Sequence, residues 1–208
     1  MLRCLPTGIG PTPLRFGDFG DGTALLVTPL CGRLVAPKLP PAAGVLEFAK
    51  SLHVSAPQTL DSHPYVRAVR DLVGTQLDTV LEDLAGRAWP ASLQHGDFAP
   101  WNLRRNRLAN SLSAFDWEFG TPDGFPYVDL AYFILQVAFH IYFWPPAKSA
   151  IYAAQWLERQ STLGLTEREA RALVRLAMFD AYLSAKDDGY QHDHPLQAWR
   201  RRISRGSW

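Results

Sequence analysis

The sequence is poor in cysteine and almost neutral in charge, and these two scarcities exclude several classes of protein. Only two cysteines, Cys4 and Cys31, occur among the 208 residues, so neither a disulfide framework nor a cysteine-rich metal site is expected. The formal net charge is +1 at pH 7, which provides no global field to attract nucleic acid or an anionic membrane. We therefore predict a cytoplasmic protein that binds neither nucleic acid nor membrane.

Long apolar runs and internal repeats are also missing. Residues 1–13 lack the continuous apolar core of a secretion signal. Residues 127–144 approach membrane-spanning length, but polar residues interrupt the run and a pair of prolines ends it, so a buried helix is predicted there. With 47% hydrophobic residues, a chain of this length can bury a substantial core.

The most informative stretch is residues 93–104, which read L-Q-H-G-D-F-A-P-W-N-L-R. His95, Asp97 and Asn102 have the spacing of the protein-kinase catalytic loop, in which the Asp accepts a hydroxyl proton and the Asn holds Mg²⁺. Two further blocks, F-D-W-E and Y-V-D-L-A, follow downstream. This combination resembles the aminoglycoside phosphotransferase and choline kinase family, whose members phosphorylate hydroxyl groups of small molecules on a protein-kinase-like fold.

The resemblance implies a role for each matched residue. Asp97 would accept the proton of the substrate hydroxyl, while Asn102 and Asp116 would bind Mg²⁺ on the phosphates of ATP through hard oxygen ligands. Asp129 would lie at a helix start and receive hydrogen bonds from the loop backbone, and His95 would brace the loop as a packed side chain. Taken singly, each residue also fits a helix cap or a turn; their order along the chain favours a site.

The implied fold is α+β and mainly helical, namely the large C-terminal lobe of a protein-kinase-like fold. Residues 33–208 would form this lobe. Residues 1–32 would be a remnant of the N-terminal lobe, because residues 14–32 predict two short strands around a Gly-Asp-Gly turn, followed by the hinge between lobes. In that hinge the Thr28 carbonyl and the Leu30 amide would pair with the adenine edge of ATP.

The region before the hairpin departs from the family pattern. Thirteen residues precede Leu14, too few for the nucleotide-covering loop, the lysine-bearing strand and the helix that the family carries there. We therefore expect most of the N-terminal lobe to be missing. The alternative to an enzyme is a non-catalytic remnant of the kinase fold, or a partner-binding module. A protein kinase fits less well because Gly96 takes the place of the usual arginine.

Helical periodicity accounts for most of the remaining chain. A short helix is expected within residues 41–53, and one long helix from Ser62 or His63 to about Leu84, with Leu72 in its buried stripe. The sequence T-E-R-E from Thr166 has the form of a capping box. Three further helices are predicted beyond the site, over residues 128–143, 147–160 and 166–186.

Several single residues carry more local expectations. Phe98 and Trp101 are predicted to bury their rings in the loop, and Glu118 to follow Asp116 in an extended segment that turns both carboxylates to one side. By the family resemblance, Asp180 is a candidate for selecting a cationic substrate, although a solvated charge near a helix end is commoner. Arg200 belongs to a basic stretch that could contact phosphate or RNA, although a basic helix end is commoner.

Overall fold

The molecule has the predicted α+β fold class and is mainly helical. The computed structural model describes residues 5, 8–11, 14–18, 20, 24–27, 32–42, 44–53, 55–106 and 111–208. The hinge residues Thr28 and Leu30 lie outside these ranges, so the predicted division of the chain after residue 32 stays a prediction.

The described strands are short, and every pairing between them is antiparallel. The predicted N-terminal hairpin is confirmed, since its two strands pair with Arg15 opposite Val27. The sheets are β1–β2, β3–β5–β6 and β4–β7. The strands are β1 (Arg15–Asp18), β2 (Ala24–Val27), β3 (Arg33–Leu34), β4 (Ser92–Gln94), β5 (Leu103–Asn106), β6 (Ser111–Ala114) and β7 (Thr121–Gly124).

Four of the described helices follow the segments predicted over residues 41–53, 128–143, 147–160 and 166–186, with ends that differ by a few residues. The capping box is present, because the Thr166 hydroxyl accepts from the Glu169 amide and the Glu169 carboxylate accepts from the Thr166 amide. The described helices are α1 (Val45–Ser51), α2 (Pro64–Val73), α3 (Asp78–Leu84), α4 (Val128–His140), α5 (Pro146–Gln160), α6 (Glu167–Asp187) and α7 (Pro195–Ser204).

The prediction of one long helix up to Leu84 is wrong. The chain forms α2 and α3 instead, separated by the 3-10 turn Gly74–Leu77. Gly74 has a φ of 58°, and a residue with positive φ cannot continue a right-handed helix. The break also changes the buried face, because Leu72 is 71% exposed and not in the core as predicted.

The core is centred on α4, which packs against α5 and α6. Eleven consecutive residues of α4, from Val128 to Ala138, are buried. The prediction of a buried helix in this apolar stretch is therefore confirmed. Among the described residues, no helix combines the length and the apolar character needed to cross a bilayer. Because α4 is fixed by neighbours on several faces, its N-terminal turn is a rigid support for whatever contacts it.

Candidate active site

Residues 95–102 form a short loop between β4 and β5. Phe98 is fully buried, as predicted, and anchors the middle of the loop in the core. The loop ends in the 3-10 turn Pro100–Asn102. Trp101 is 40% exposed, contrary to the prediction that it is buried, and its ring meets the edge of His140 at 5.6 Å. The loop is thus held from below by one aromatic ring and presents the other at the surface.

Asp97 and Asn102 are brought together directly. The Asn102 side-chain amide donates to the Asp97 carboxylate oxygen Oδ2 at 2.8 Å and to the Asp97 main-chain carbonyl at 2.9 Å. Both bonds use the amide nitrogen. Among the described residues, no group donates to the remaining amide oxygen of Asn102, so this oxygen is available to a ligand. The five-residue spacing therefore closes the loop into a ring that fixes both side chains.

His95 is buried at the start of the loop and links the loop to the strand that follows. Its Nε2–H donates to the Phe115 carbonyl at 2.6 Å, and its Nδ1 accepts from the Asp97 amide at 3.2 Å. This pattern is that of a neutral imidazole. Burial lowers the pKa of His95, while the Phe115 carbonyl and the Asp97 and Asp116 carboxylates act in the opposite direction. The contacts are those required to brace a loop.

Asp129 lies in the first turn of α4, beneath the loop of residues 95–102. Its carboxylate accepts from the His95 amide at 2.6 Å and from the Gly96 amide at 3.2 Å. Burial raises the pKa of Asp129 to about 7, although the two amide donors oppose the shift and the nearby carboxylates of Asp180 and Asp97 add to it. Asp129 thus holds two consecutive amides and sets the direction in which the chain enters the loop.

Gly96 fits where another residue would not. It has a φ of 82°, in the left-handed region that favours glycine. A Cβ atom built on Gly96 would lie 2.6 Å from the Phe119 main-chain oxygen and 2.7 Å from the Phe119 Cβ. The loop and the turn that carries Phe119 are therefore in contact, and this contact requires a residue without a side chain.

Asp116 is the second residue after β6 and is placed by the hairpin β5–β6. Leu103 pairs with Ala114 in that hairpin, and the Phe115 amide donates to the Asn102 carbonyl at 2.9 Å. Asp116 has a φ of 63° and is exposed. Together with Asp97, it raises the pKa of His95, which places both carboxylates near the same imidazole.

The extended segment predicted after Asp116 does not form. Glu118 lies in a turn, which is closed by a hydrogen bond from the Gly120 amide to the Trp117 carbonyl at 3.1 Å. The alternation that would have turned Asp116 and Glu118 to one side requires extended backbone, and the positive φ of Asp116 interrupts it.

Tyr132 is a site residue that the sequence analysis missed. Its hydroxyl donates to the Asp97 oxygen Oδ1 at 2.7 Å, so the Asp97 carboxylate is held at both oxygens. Tyr132 occupies the second turn of α4, one turn beyond Asp129, and residues three apart on a helix share a face. The Y-V-D-L-A block thus indicated which helix supports the loop, and the helical period identifies Tyr132 on the same face.

Asp180 has surroundings that the sequence analysis did not predict. It is partly buried on α6 and accepts from the Tyr65 hydroxyl at 2.6 Å and from the Gln94 side-chain amide at 3.3 Å. Burial raises the pKa of Asp180 to about 6, against the opposing effect of its two donors. Asp180 also raises the pKa of Asp129. It is therefore a hydrogen-bonded carboxylate behind the loop, and not a solvated charge at a helix end.

A cleft of about 810 Å³ lies between α2 and α3 and contains none of the predicted site residues. Its lining residues fall within residues 59–87, and they include Asp61, Arg70 and Arg87. All three are already ion-paired, Arg70 with Asp61 and Arg87 with Glu169. The convergence of side chains at Asp97, and not the size of a cleft, therefore locates the candidate site.

Comparison with known proteins gives two weak structural likenesses. The sequence matches no protein-family model and no curated protein. The choline kinase LicA from Streptococcus pneumoniae is 19% identical with a TM-score of 0.41, over 78% of this chain and 54% of that chain. An ethanolamine kinase from Plasmodium vivax is 12% identical with a TM-score of 0.40, over 78% of this chain and 46% of that chain. This chain thus spans about half the length of each, and values this low assign no function.

Proposed function

We propose that the chain is the helical lobe of a small-molecule kinase, which transfers a phosphoryl group from ATP to a hydroxyl group with the help of Mg²⁺. The observation that carries this proposal is the closed ring of Asp97 and Asn102, in which one amide nitrogen binds both the carboxylate and the carbonyl of Asp97. The double contact holds the two side chains in a fixed relation to each other. Phosphoryl transfer needs a fixed proton acceptor beside a fixed metal ligand, and this ring supplies both.

In the proposed reaction, the acceptor hydroxyl lies against Asp97 and loses its proton to that carboxylate as its oxygen bonds to the terminal phosphorus of ATP. The bond between that phosphorus and the bridging oxygen breaks, and ADP leaves with the electron pair. The protein contributes mainly orientation and charge balance, because the transition state of phosphoryl transfer demands little covalent chemistry from side chains. The bonds that Asp97 receives from Asn102 and Tyr132 fix its direction.

The residues near the loop suit Mg²⁺. This ion prefers hard oxygen ligands, and it is usually held by one or two carboxylates together with substrate phosphates. The free amide oxygen of Asn102 and the exposed carboxylate of Asp116 provide such oxygens. In the described part of the chain, no three His, Cys, Asp or Glu side chains cluster as a self-sufficient metal site. When bound, Mg²⁺ would neutralise phosphate charge, and Asn102 and Asp116 are the residues that would hold it.

The proposed contacts with the adenine base of ATP rest on the sequence. The Thr28 carbonyl and the Leu30 amide, which would pair with adenine, follow directly after β2. Pro29 between them has no N–H to donate, so the hinge offers one acceptor and one donor. We assign the donated hydrogen bond to adenine to the Leu30 main-chain amide. An alanine substitution would leave this amide in place, whereas Leu30→Pro removes it.

The first test is turnover by the wild-type chain, which also separates the enzyme from a non-catalytic remnant. ADP release would be measured with ATP and Mg²⁺ against a panel of hydroxyl compounds that includes aminoglycosides, amino alcohols, sugars and hydroxy amino acids. We expect release that depends on one class of acceptor, together with micromolar binding of Mg-ATP by calorimetry. Absence of both signals would refute the enzyme and leave the remnant or partner module.

The second test is Asp97→Ala. Loss of the proton acceptor should lower kcat by about 100-fold or more, since a general base contributes roughly 10²- to 10⁴-fold. The exposed residue Asp71 on α2 provides the matched control, because Asp71→Ala removes a carboxylate of the same size far along the chain from the loop. Both variants should keep the wild-type circular dichroism spectrum. Turnover by Asp97→Ala at the wild-type rate would refute the assignment.

A further inference from the structure

The Asp97 carboxylate is held by two elements with different surroundings. Asn102, which binds Oδ2, belongs to the loop itself, whereas Tyr132, which binds Oδ1, belongs to the central helix α4. The loop backbone is held to α4 by Asp129. Among the described residues, the bond from Tyr132 is the one that holds the Asp97 carboxylate itself to α4, so this bond fixes the direction of the carboxylate relative to the core.

Tyr132 is well suited to hold a carboxylate. It is only 8% exposed, and burial together with the nearby Asp97 raises the pKa of its phenol far above the ordinary value. The hydroxyl therefore keeps its proton and donates it to Asp97 at 2.7 Å. Hydrogen bonds to an ionised acceptor are about twice as strong as those between neutral groups, so loss of the hydroxyl would release the carboxylate.

A buried arginine lies behind Tyr132. Arg200 on α7 is 7% exposed, and its Nη1 donates to the Ala181 carbonyl and to the Gln197 side-chain oxygen, both at 3.2 Å. Its Nε is buried without a partner among the described residues. Within this part of the chain, no carboxylate lies within 4.0 Å of its guanidinium, as an ion pair would require. An unpaired buried charge is costly, so Arg200 requires a compensating charge.

Asp97 is a carboxylate that acts on the same two side chains as Arg200, namely Tyr132 and His140. Arg200 lowers the pKa of the Tyr132 phenol, whereas Asp97 raises it. The same two charges act in opposite directions on the pKa of His140. The helices that carry these groups are in contact, because the rings of Phe139 and Trp199 meet at 5.2 Å. The Arg200 cation and the Asp97 carboxylate therefore both act on the Tyr132 hydroxyl.

We propose that Tyr132 and Arg200 are positioning residues for Asp97: the Tyr132 hydroxyl fixes the carboxylate against α4, and the Arg200 guanidinium polarises that hydroxyl toward the carboxylate. This inference rests on the proposed function, in which Asp97 is the proton acceptor. Neither residue touches the reacting atoms in this arrangement. Both act by orientation, and displacement of a reacting group by about 1 Å can cost on the order of 100-fold in rate.

Tyr132→Phe is the direct test, because it removes the hydroxyl and keeps the ring. We expect kcat for phosphoryl transfer to fall roughly 10- to 100-fold, while KM for ATP stays within about twofold because no nucleotide contact is lost. Tyr127→Phe is the matched control, since the Tyr127 hydroxyl bonds Thr162 at 3.0 Å and not Asp97. A loss of stability alone would reduce the amount of folded protein and would not lower kcat per folded molecule at an unchanged KM.

Arg200 is tested by a double-mutant cycle with Tyr132. Arg200→Met, which keeps an apolar stem, should lower kcat about tenfold in the wild-type background and less than twofold in the Tyr132→Phe background. Arg200→Lys keeps the charge and should retain at least a third of wild-type kcat. If Arg200→Met does not fold, the cycle is measured with Arg200→Lys in the wild-type and Tyr132→Phe backgrounds. Arg175→Lys on α6 is the control for loss of a partly buried guanidinium.

The outcomes separate this inference from the proposed function. Wild-type turnover with an inactive Asp97→Ala, but with Tyr132→Phe as fast as wild type, overturns the positioning role and leaves the kinase in place. Equal losses for Arg200→Met in both backgrounds overturn the action of Arg200 through Tyr132. No turnover by the wild-type chain with any acceptor overturns the proposed function, and the positioning role with it.

Discussion

The loop of residues 95–102 and the helical wall behind it, meaning α4, α6 and α7, hold their shapes by different forces. The loop depends on hydrogen bonds between side chains and backbone, as in the bonds of Asp129 to two amides and of Asn102 to the Asp97 carbonyl. The wall depends on apolar burial, and Leu173 and Leu176 are among its fully buried residues. Directional bonds determine orientation, whereas non-directional burial determines stability.

This difference predicts two classes of variant. A change in the loop should alter the direction of Asp97 and reduce turnover, with a smaller effect on the free energy of unfolding. A change in the wall should reduce the free energy of unfolding, with a smaller effect on turnover per folded molecule. Tyr132 and Asp180 lie where the two regions meet, so they are the residues at which both effects should be measured.

The largest expected effect on stability is that of Leu173→Ala in the wall. Leu173 is fully buried on α6, and truncation of a buried leucine costs about 2–5 kcal/mol because of lost transfer energy and the cavity left behind. Leu72→Ala is the matched control, since Leu72 is 71% exposed, and it should cost less than about 0.5 kcal/mol. Urea denaturation measures both. A loss below 1 kcal/mol for Leu173→Ala would contradict the role assigned to the wall.

Gly96→Ala tests the loop and should have a smaller effect on stability but a larger one on turnover. The left-handed φ costs alanine roughly 1–2 kcal/mol. The added Cβ also meets the Phe119 carbonyl oxygen, 2.6 Å away, so the loop must move and kcat should fall on the order of 100-fold.

Gly189→Ala is the control for that experiment. Gly189 has a φ of 86°, and no atom lies within 4 Å of an added Cβ. It therefore carries the backbone cost without the collision, and it should lower stability by about 1 kcal/mol with kcat unchanged. If the two glycine variants have the same kcat, the contact with Phe119 does not orient the loop.

Spacing alone predicts the parts of the site whose partners are close along the chain; the contact of Asp129 with His95 spans 34 residues and was implied by the family resemblance instead. The spacing of His95, Asp97 and Asn102 lies within a single loop, where local geometry determines which groups meet. Tyr132 is 35 residues from Asp97, and Tyr65 is 115 residues from its partner Asp180. No local pattern encodes such contacts, because they depend on how complete helices pack. The presence of most helices was predictable from apolar periodicity, because that pattern is also local in the sequence.

The break between α2 and α3 illustrates the same limit. Apolar residues continue at helical spacing through this region, and an isolated glycine is tolerated within a helix at a cost of about 1 kcal/mol. The sequence therefore favours one long helix. The positive φ of Gly74 and the 3-10 turn that follows let α3 pack separately against α6, and this tertiary packing outweighs the continuous periodicity.

The smallest expected effect is a pH dependence that arises at Asp180, between loop and wall. Its pKa is raised from 3.8 to about 6 in the folded protein, so between these values the folded state binds more protons than the unfolded state. The stabilisation linked to this group is therefore complete below about pH 4 and is lost as the pH rises through 6. Tyr65 and Gln94 face the carboxylate directly, and Asp129 is the nearby acidic group.

Asp180→Asn removes this titration, so the free energy of unfolding should be compared between wild type and variant at pH 4, 5, 6 and 7.5. The free energy of unfolding of the wild type should fall by about 1–2 kcal/mol relative to that of the variant across this range, a figure that allows for the partial exposure of the carboxylate. The histidines whose pKa burial lowers act in the opposite direction, but they are present in both proteins and cancel in the difference. Asp187→Asn, at an exposed position on the same helix, should give a constant difference. A difference for Asp180→Asn that is constant or that favours the wild type at high pH would show that the carboxylate is solvated, and would assign it to the surface of the wall.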